Sequence, residues 1–390
     1  MKILAIDGVS NGHDHLRFNA TVIEILCSSL ALTWFGFCAE KRHVSKVLKT
    51  LDMKTNKSFN LYPINSIFRN CSKSKAKLIL ELLNIYWNAL LIIKREKPDR
   101  LLFVGVEYTL FPLFASVFLR ICVFRQKLDI YVVLHNLYRI KISPTKHILW
   151  KIMFNCLDLQ CIVLANTVQG KFTELFPKRL SLLWRHPSYG HLIPWAIDKD
   201  INLESFRKDN IIRLLLVGRQ GTLAISNGFL DLLAALCQKV TEVTGRKFKI
   251  IVTSTFQTKE KPTTRTNVKL LNRRLPDQEY FQIIMDSDYV VFPIVSDIDY
   301  RASGILADAI TMKVPVLAPK AGHFRELCSE DGLNKGGWLY DGRDGLERTL
   351  FKIARVVPGE YINMCRYIDY LNEELSLQRA EVRLRSILDI

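Results

Sequence analysis

The chain is predicted to fold as α/β, in two doubly wound domains built on parallel sheets. Three observations carry this prediction. Strand-length apolar runs alternate with helix-length segments almost from end to end. The strand runs are continuously apolar rather than alternating, so both faces of each sheet are expected to be covered. The pattern pauses once, in the polar stretch 187–210 with its two prolines, and then restarts. The length of 390 residues is ample for two cores, and 49% hydrophobic with 24% charged residues is an ordinary globular balance. That excludes a disordered, collagen-like or disulfide-scaffold chain.

In the first half, residues 2–6 form a short buried strand, Asn11-Gly12-His13 a turn, and 19–30 a helix. A long helix pattern over 75–93 closes at Lys94-Arg95-Glu96-Lys97-Pro98. An unbroken apolar strand follows at 101–106, then a helix-like stretch at 110–124 and a strand at 130–134 that ends at His135-Asn136. A helix at 143–154, a strand at 161–165 and a short helix at 168–175 complete the half. After the pause come strands at 212–217, 247–252, 268–271, 289–293 and 314–318, with helices at 228–240, 277–286 and 303–311. Helices then run from about 361 to the end. Strand–helix repetition of this kind implies parallel strands with right-handed crossovers. The predicted domains are 1–195 and 211–358, facing each other across a central cleft lined by strand C-termini.

Charge is unevenly placed. Lysine and arginine total 55 against 38 acids, a net +17. Residues 1–200 hold 28 basic and 14 acidic side chains (+14), whereas 201–390 hold 27 and 24 (+3). An anionic partner is therefore expected to meet the first half. Lys73, Lys75 and Lys77 precede the apolar helix that bears Tyr86 and Trp87, and Lys94, Arg95 and Lys97 follow it. Arg120, Arg125 and Lys127 flank a second apolar segment. Basic residues beside apolar helix faces suit an anionic membrane surface; the plainer reading of any one cluster is a solvated rim. No nucleic-acid module or aromatic-basic sheet signature is present, so nucleic acid is not an expected partner. Residues 101–124 are long enough to span a bilayer, but Glu107, Pro112 and Arg120 interrupt them, and a buried strand followed by a helix fits better. No secretory signal is visible, since only four apolar residues separate Lys2 from Asp7. The nine cysteines are scattered, odd in number and without a C-x-x-C pair. They point to a reduced, cytoplasmic setting and not to a metal site.

Two loops carry candidate chemistry. Val217-Gly218-Arg219 leaves a parallel strand and opens towards a helix, a natural anion site, and Arg219 is placed to pair with a phosphate. The plainer alternative is a turn glycine followed by a surface arginine. Gly218-Arg219-Gln220-Gly221 does not fit G-x-G-x-x-G, which disfavours a nicotinamide dehydrogenase. In the second loop a strand ends at Pro293 and Ser303-Gly304 opens a helix. The N–H groups of Ser303, Gly304 and Ile305 would face an anion with the helix dipole behind them. Asp308, one turn further, could accept two hydrogen bonds from a diol. The plainer alternative is that Ser303 only caps the helix and Asp308 is solvated.

In this order the motifs resemble those of retaining GT-B glycosyltransferases, the large group that includes sucrose synthases and bacterial polysaccharide transferases. The residues are strand-Gly218-Arg219, Asp286-Ser287-Asp288, Ser303-Gly304 with Asp308-Ala309, Val314-Pro315-Val316, and Gly322 with Glu326. The resemblance covers about 211–345, and more loosely the first domain through Gly12, His135-Asn136 and Arg185-His186-Pro187-Ser188-Tyr189. It implies a GT-B fold of two Rossmann-like domains, with C-terminal helices (about 361–390) returning to the first. It implies that Arg219 and the Ser303–Ile305 amides hold a donor pyrophosphate, that Asp308 binds the ribose hydroxyls as the second acid of an E-x7-E motif, and that Gly12 lets the first-domain loop approach the phosphates. His135 matches a histidine that approaches the donor sugar; a strand-end histidine bonded to backbone is its plainer reading. Two positions depart from the pattern. The first acid falls at Tyr300, with Asp297 or Asp299 as the nearby carboxylate, and Asn227-Gly228 replaces a Lys-Gly. The catalytic candidates are thus His135 and Asp299, with no metal and no cofactor beyond a nucleotide-diphosphate sugar as donor. The expected activity is retaining transfer to a lipid-linked or saccharide acceptor in bacterial surface polysaccharide synthesis, at the inner face of the cell membrane. The alternatives are a nucleotide-sugar epimerase, an inverting GT-B enzyme, or a degenerate non-catalytic scaffold.

Overall fold

Seven strands form the sheet of the first unit. They are β1 (Lys2–Asp7), β2 (Trp34–Glu40), β3 (Asn60–Ile64), β4 (Arg100–Gly105), β5 (Asp129–Leu134), β6 (Gln160–Val163) and β7 (Ser181–Leu183). Their spatial order is β3-β2-β1-β4-β5-β6-β7, and every neighbouring pair is parallel. The chain starts in the middle of the sheet, runs outward to β3, and returns through the long helix Lys75–Glu96 to β4 on the other side of β1. Strand C-termini diverge at such a reversal and leave a crevice there, between β1 and β4. The computed structural model behind this description covers residues 1–9, 15–51, 59–67, 75–119, 128–193, 195, 210–218, 224, 228–253, 267–271, 273, 275–330 and 333–390.

Continuous apolar strands bury both faces of the sheet. Ile3, Leu4, Ala5 and Ile6 of β1 are fully buried, as are Leu101, Leu102 and Phe103 of β4. On the long helix, Leu82, Ile85, Tyr86, Ala89 and Ile93 form the buried stripe. Helix Leu377–Leu388 packs beside helix Leu16–Ser28, and Trp184 Nε1 donates to the Ala380 carbonyl at 3.1 Å. The first unit therefore comprises Met1–Pro187, Tyr300–Ala302 and Leu377–Ile390. The stretch 101–124, weighed above as a bilayer span, holds β4, helix Leu110–Phe114 and a π-helical turn at Ala115–Leu119. Residues 120–127, with Arg120, Arg125 and Lys127, lie outside the described residues, as does Lys73.

The second unit, Ser188–Asp299 with Ser303–Ser376, repeats the plan. Its strands are β8 (Ile211–Leu216), β9 (Lys247–Thr253), β10 (Val268–Leu271), β11 (Tyr289–Val291) and β12 (Val316–Pro319). A small antiparallel hairpin, β13 (Ser329–Glu330) with β14 (Leu333–Asn334), precedes the edge strand β15 (Gly337–Tyr340). The order β10-β9-β8-β11-β12-β15 is parallel throughout and reverses between β8 and β11. Asp288 pins the start of β11 to β8: its carboxylate accepts the Arg213 N–H at 2.6 Å, and its own N–H donates to the Arg213 carbonyl at 2.9 Å. Burial pushes the thiols of Cys38, Cys328 and Cys365 up to about 12, so these cysteines pack as neutral apolar groups.

Candidate functional site

The crevice of the second sheet brings together the two candidate loops. Past β8, Gly218 adopts a left-handed φ of 57°, and its N–H donates to Thr253 Oγ1, at the end of β9, at 2.8 Å. A Cβ added at Gly218 would stand 3.9 Å from Ile305 Cδ1, so the turn after β8 lies against the first turn of helix Gly304–Thr311. Glycine adopts this φ at the least cost.

That helix begins in an orderly way. Ser303 has extended backbone, and its Oγ accepts the Leu306 N–H at 3.2 Å. Its own N–H donates to His323 Nδ1 at 3.2 Å. Of the three amides expected at an anion, Ser303's is therefore committed to His323. The Gly304 and Ile305 N–H groups belong to the first turn, which has no intrahelical acceptor for them. With the helix dipole behind them they form an anion-directed pair. His323 is delivered by Gly322, whose φ is 51° and whose missing Cβ would overlap the Ile298 carbonyl. Glycine is required there on both counts.

Asp308 lies one turn inside the same helix at 2% exposure, so it is not solvated. Its Oδ2 accepts the Tyr280 hydroxyl at 2.6 Å, from helix Asp277–Met285. A buried carboxylate held by a phenol can take a further donor such as a sugar hydroxyl. Asp297 is buried, and Asp299, in the 3₁₀ turn Ile298–Tyr300, is partly exposed. Arg219, Asn227 and Gly12 lie outside the described residues.

Tyr300, at the position of the first acid, counts with the first unit and is 7% exposed. Its carbonyl accepts the Leu137 N–H at 2.9 Å, its ring lies 5.8 Å from that of Tyr138, and Lys141 Nζ sits 4.4 Å from its ring centroid. The residue is thus a core anchor, with Arg301 bridged to Asn136 beside it. His135 follows β5, and its Nε2 bonds the Val104 carbonyl at 2.8 Å. A carbonyl only accepts, so Nε2 carries the proton and Nδ1 is the ring's acceptor nitrogen. The ring stands 4.0 Å from that of His15 and 4.8 Å from that of Phe18. Burial, with His15 and His186 nearby, holds its pKa well below the ordinary histidine value and keeps it neutral.

Sequence reasoning missed a polar cluster in the crevice of the first sheet. Asp7 ends β1 at 1% exposure. One of its oxygens accepts the Val9 N–H at 3.0 Å and the other accepts from Asn19 Nδ2. His43 Nε2 is 3.5 Å from the same carboxylate and 2.8 Å from Asn19 Nδ2. A Cβ on Gly105 would approach Asp7 Oδ1 to 2.6 Å. The one sequence signal was Asn19, an amide among the apolar residues of a buried helix.

No protein-family model and no curated protein matches the chain. Its backbone does resemble solved structures over its whole length. HepE from Anabaena, crystallised with UDP, superposes with a TM-score of 0.68 at 13% identity, covering 100% of both chains. The lipopolysaccharide outer core galactosyltransferase WaaB gives 0.62 at 12% identity, covering 100% of this chain and 99% of that one. A Listeria monocytogenes protein described as a UDP-N-acetylglucosamine 2-epimerase gives 0.59 at 13% identity, covering 99% and 96%. These likenesses establish the fold class as GT-B.

Proposed function

We propose that this chain is a glycosyltransferase that takes a hexose from a nucleotide-diphosphate sugar, with retention, and passes it to a lipid-linked or saccharide acceptor in the building of a bacterial surface polysaccharide. The observation that carries the reading is the start of helix Gly304–Thr311, whose first-turn Gly304 and Ile305 amides lie beside the Gly218 turn. Full-length likeness to a UDP-bound protein and to a galactosyltransferase supports it. Transfer requires charge to be stabilised on a departing diphosphate, and fixed donors supply that. In this reading Gly304, Ile305 and Arg219 meet the phosphates, Asp308 receives the ribose hydroxyls, and Asp299 and His135 face the sugar. The likeness to a protein described as a sugar epimerase supports a second reading, rearrangement of the sugar while the nucleotide is returned to it.

Gly304→Pro tests the cradle. Position 304 is the first helical residue after an extended Ser303, a place where helices tolerate proline, and the substitution removes the Gly304 N–H. UDP affinity by calorimetry is expected to fall about tenfold or more, the range for a hydrogen bond to a charged group. Unchanged affinity in the folded variant would remove this helix start from the site. Acceptor-dependent release of UDP separates transfer from epimerisation, and binding without turnover would leave only a scaffold.

A further inference from the structure

The first unit carries a feature that transfer chemistry does not use. Helices Lys75–Glu96, Leu110–Phe114 with its π-helical continuation, and Pro144–Cys156 pack side by side. Aromatic rings join their inner sides: Tyr86 stacks on Phe114 at 4.6 Å, and Phe111 meets Trp150 at 6.0 Å. Their outer sides are apolar as well. On the long helix Leu80, Leu83, Trp87 and Leu91 recur at spacings of three and four, so they line one stripe, opposite the buried one. Trp87 is 58% exposed. Val117 and Phe118 extend the exposed surface on the second helix, and Ile148 and Ile152 on the third. Three adjoining helices with apolar outer faces mark an interaction surface.

Charge selects the partner. Lys94 and Lys97 stand exposed at the C-terminal end of the long helix, and Lys151 is exposed beside Ile152 on the third. The first 200 residues hold +14 of the chain's +17. Apolar stripes edged by lysine match the boundary between acyl chains and anionic headgroups. We propose that this three-helix face docks the chain peripherally on an anionic lipid bilayer, with the Leu80–Leu91 stripe entering the headgroup boundary and the lysines meeting lipid phosphates. Among the described residues Ala76–Glu96 is the one helix long and apolar enough to cross a membrane, with mean hydropathy 1.5. It lies in the surface instead, because Ile85, Tyr86, Ala89 and Ile93 on its other side are buried against the first unit's core. The proposal does not rest on the nucleotide-sugar reading.

The test is cosedimentation of the full chain with vesicles of equal parts phosphatidylglycerol and phosphatidylcholine, or of phosphatidylcholine alone. The unsubstituted chain is expected to bind the anionic vesicles far better, and to lose binding as salt screens the headgroups. A Leu83→Glu, Trp87→Glu double variant with unchanged melting temperature is expected to bind at least about tenfold more weakly, since two apolar side chains that would enter the headgroup boundary become charged. Lys94→Glu with Lys97→Glu, which leaves the apolar stripe intact, is expected to remove the preference for anionic vesicles. Vesicle binding that ignores both variants, or is equal for the two lipid compositions, overturns the proposal. So does a dimer in solution that the first variant dissociates while vesicles bind neither form, since the face then seats a second copy. Failure of the chain to bind UDP bears only on the nucleotide reading.

Discussion

The two sheets share one strand order around their first strand, β3-β2-β1-β4 in one unit and β10-β9-β8-β11 in the other, yet their crevices are furnished differently. In the first, the chain's own side chains occupy the strand ends: Asp7, Asn19 and His43 are in polar contact with one another, and a Cβ on Gly105 would crowd the Asp7 carboxylate. In the second, Gly218 brings no side chain, and the helix start offers the Gly304 and Ile305 amides, which have no acceptor within their own helix. Topology makes a crevice in both units. Residue size and the destination of each donor decide which crevice stays capable of holding an anion.

This difference implies that Asp7 serves stability and not nucleotide binding. Asp7→Ala leaves the Val9 N–H and the Asn19 amide without their shared acceptor in a buried place. Each such loss costs about 1–3 kcal/mol, so unfolding in denaturant is expected to show a loss of roughly 2–4 kcal/mol. UDP affinity of the remaining folded protein should stay as it was. A folded Asp7→Ala chain that no longer binds UDP would make the first crevice part of the nucleotide site and erase the contrast.

Acid sharpens the same comparison, because each unit holds a histidine that burial keeps neutral. His191 of the second unit is lowered from 6.5 to about 4, and His135 of the first is held well below 6.5. The unfolded chain binds these protons near 6.5 and the folded chain does not, so stability is full above that pH and falls as pH drops. Between pH 6.5 and 4 His191 contributes a slope of up to about 1.4 kcal/mol per pH unit, and His135 adds a slope of the same sign below 6.5. His191→Gln is expected to flatten the curve of unfolding free energy against pH by one such proton. An unchanged slope would mean that His191 titrates normally in the folded chain.

How much of this was legible in the sequence depended on distance along the chain. β1, β4 and β5 announced themselves as unbroken apolar runs, and β8 as one interrupted only by Arg213. β2 is broken by Gly36, β3 is a half-exposed edge strand containing Pro63, and β7 is three residues long, so pairing rather than local pattern makes them strands. The cradle was legible for the same local reason: Gly218 closely follows β8, and Ser303 and Gly304 are adjacent in the chain. What local sequence could not show is where donors are spent. His323 takes the Ser303 amide from 20 residues away, and Tyr280 reaches Asp308 from 28. Tyr300 occupies a motif position, yet its surroundings in the first unit's core make it a packing residue.

The smallest expected effect separates Tyr280 from Asp308 within the second crevice. Tyr280→Phe keeps the ring and removes only the hydroxyl that holds Asp308 Oδ2 at 2.6 Å. The carboxylate then keeps its charge but loses a fixed orientation, which is worth about 1 kcal/mol for one net hydrogen bond. If Asp308 receives the ribose hydroxyls, UDP affinity should fall by roughly fivefold in Tyr280→Phe, since each 1.4 kcal/mol is tenfold. Asp308→Asn should weaken UDP more, because it removes the charge and one acceptor position together. The decisive measurement is the double variant. A positioning residue acts only through the group it positions, so Tyr280→Phe should add nothing to Asp308→Asn, whereas independent contacts would add. Additive losses would place the tyrosine itself against the nucleotide, and no loss in either single variant would move the ribose contact away from this helix altogether.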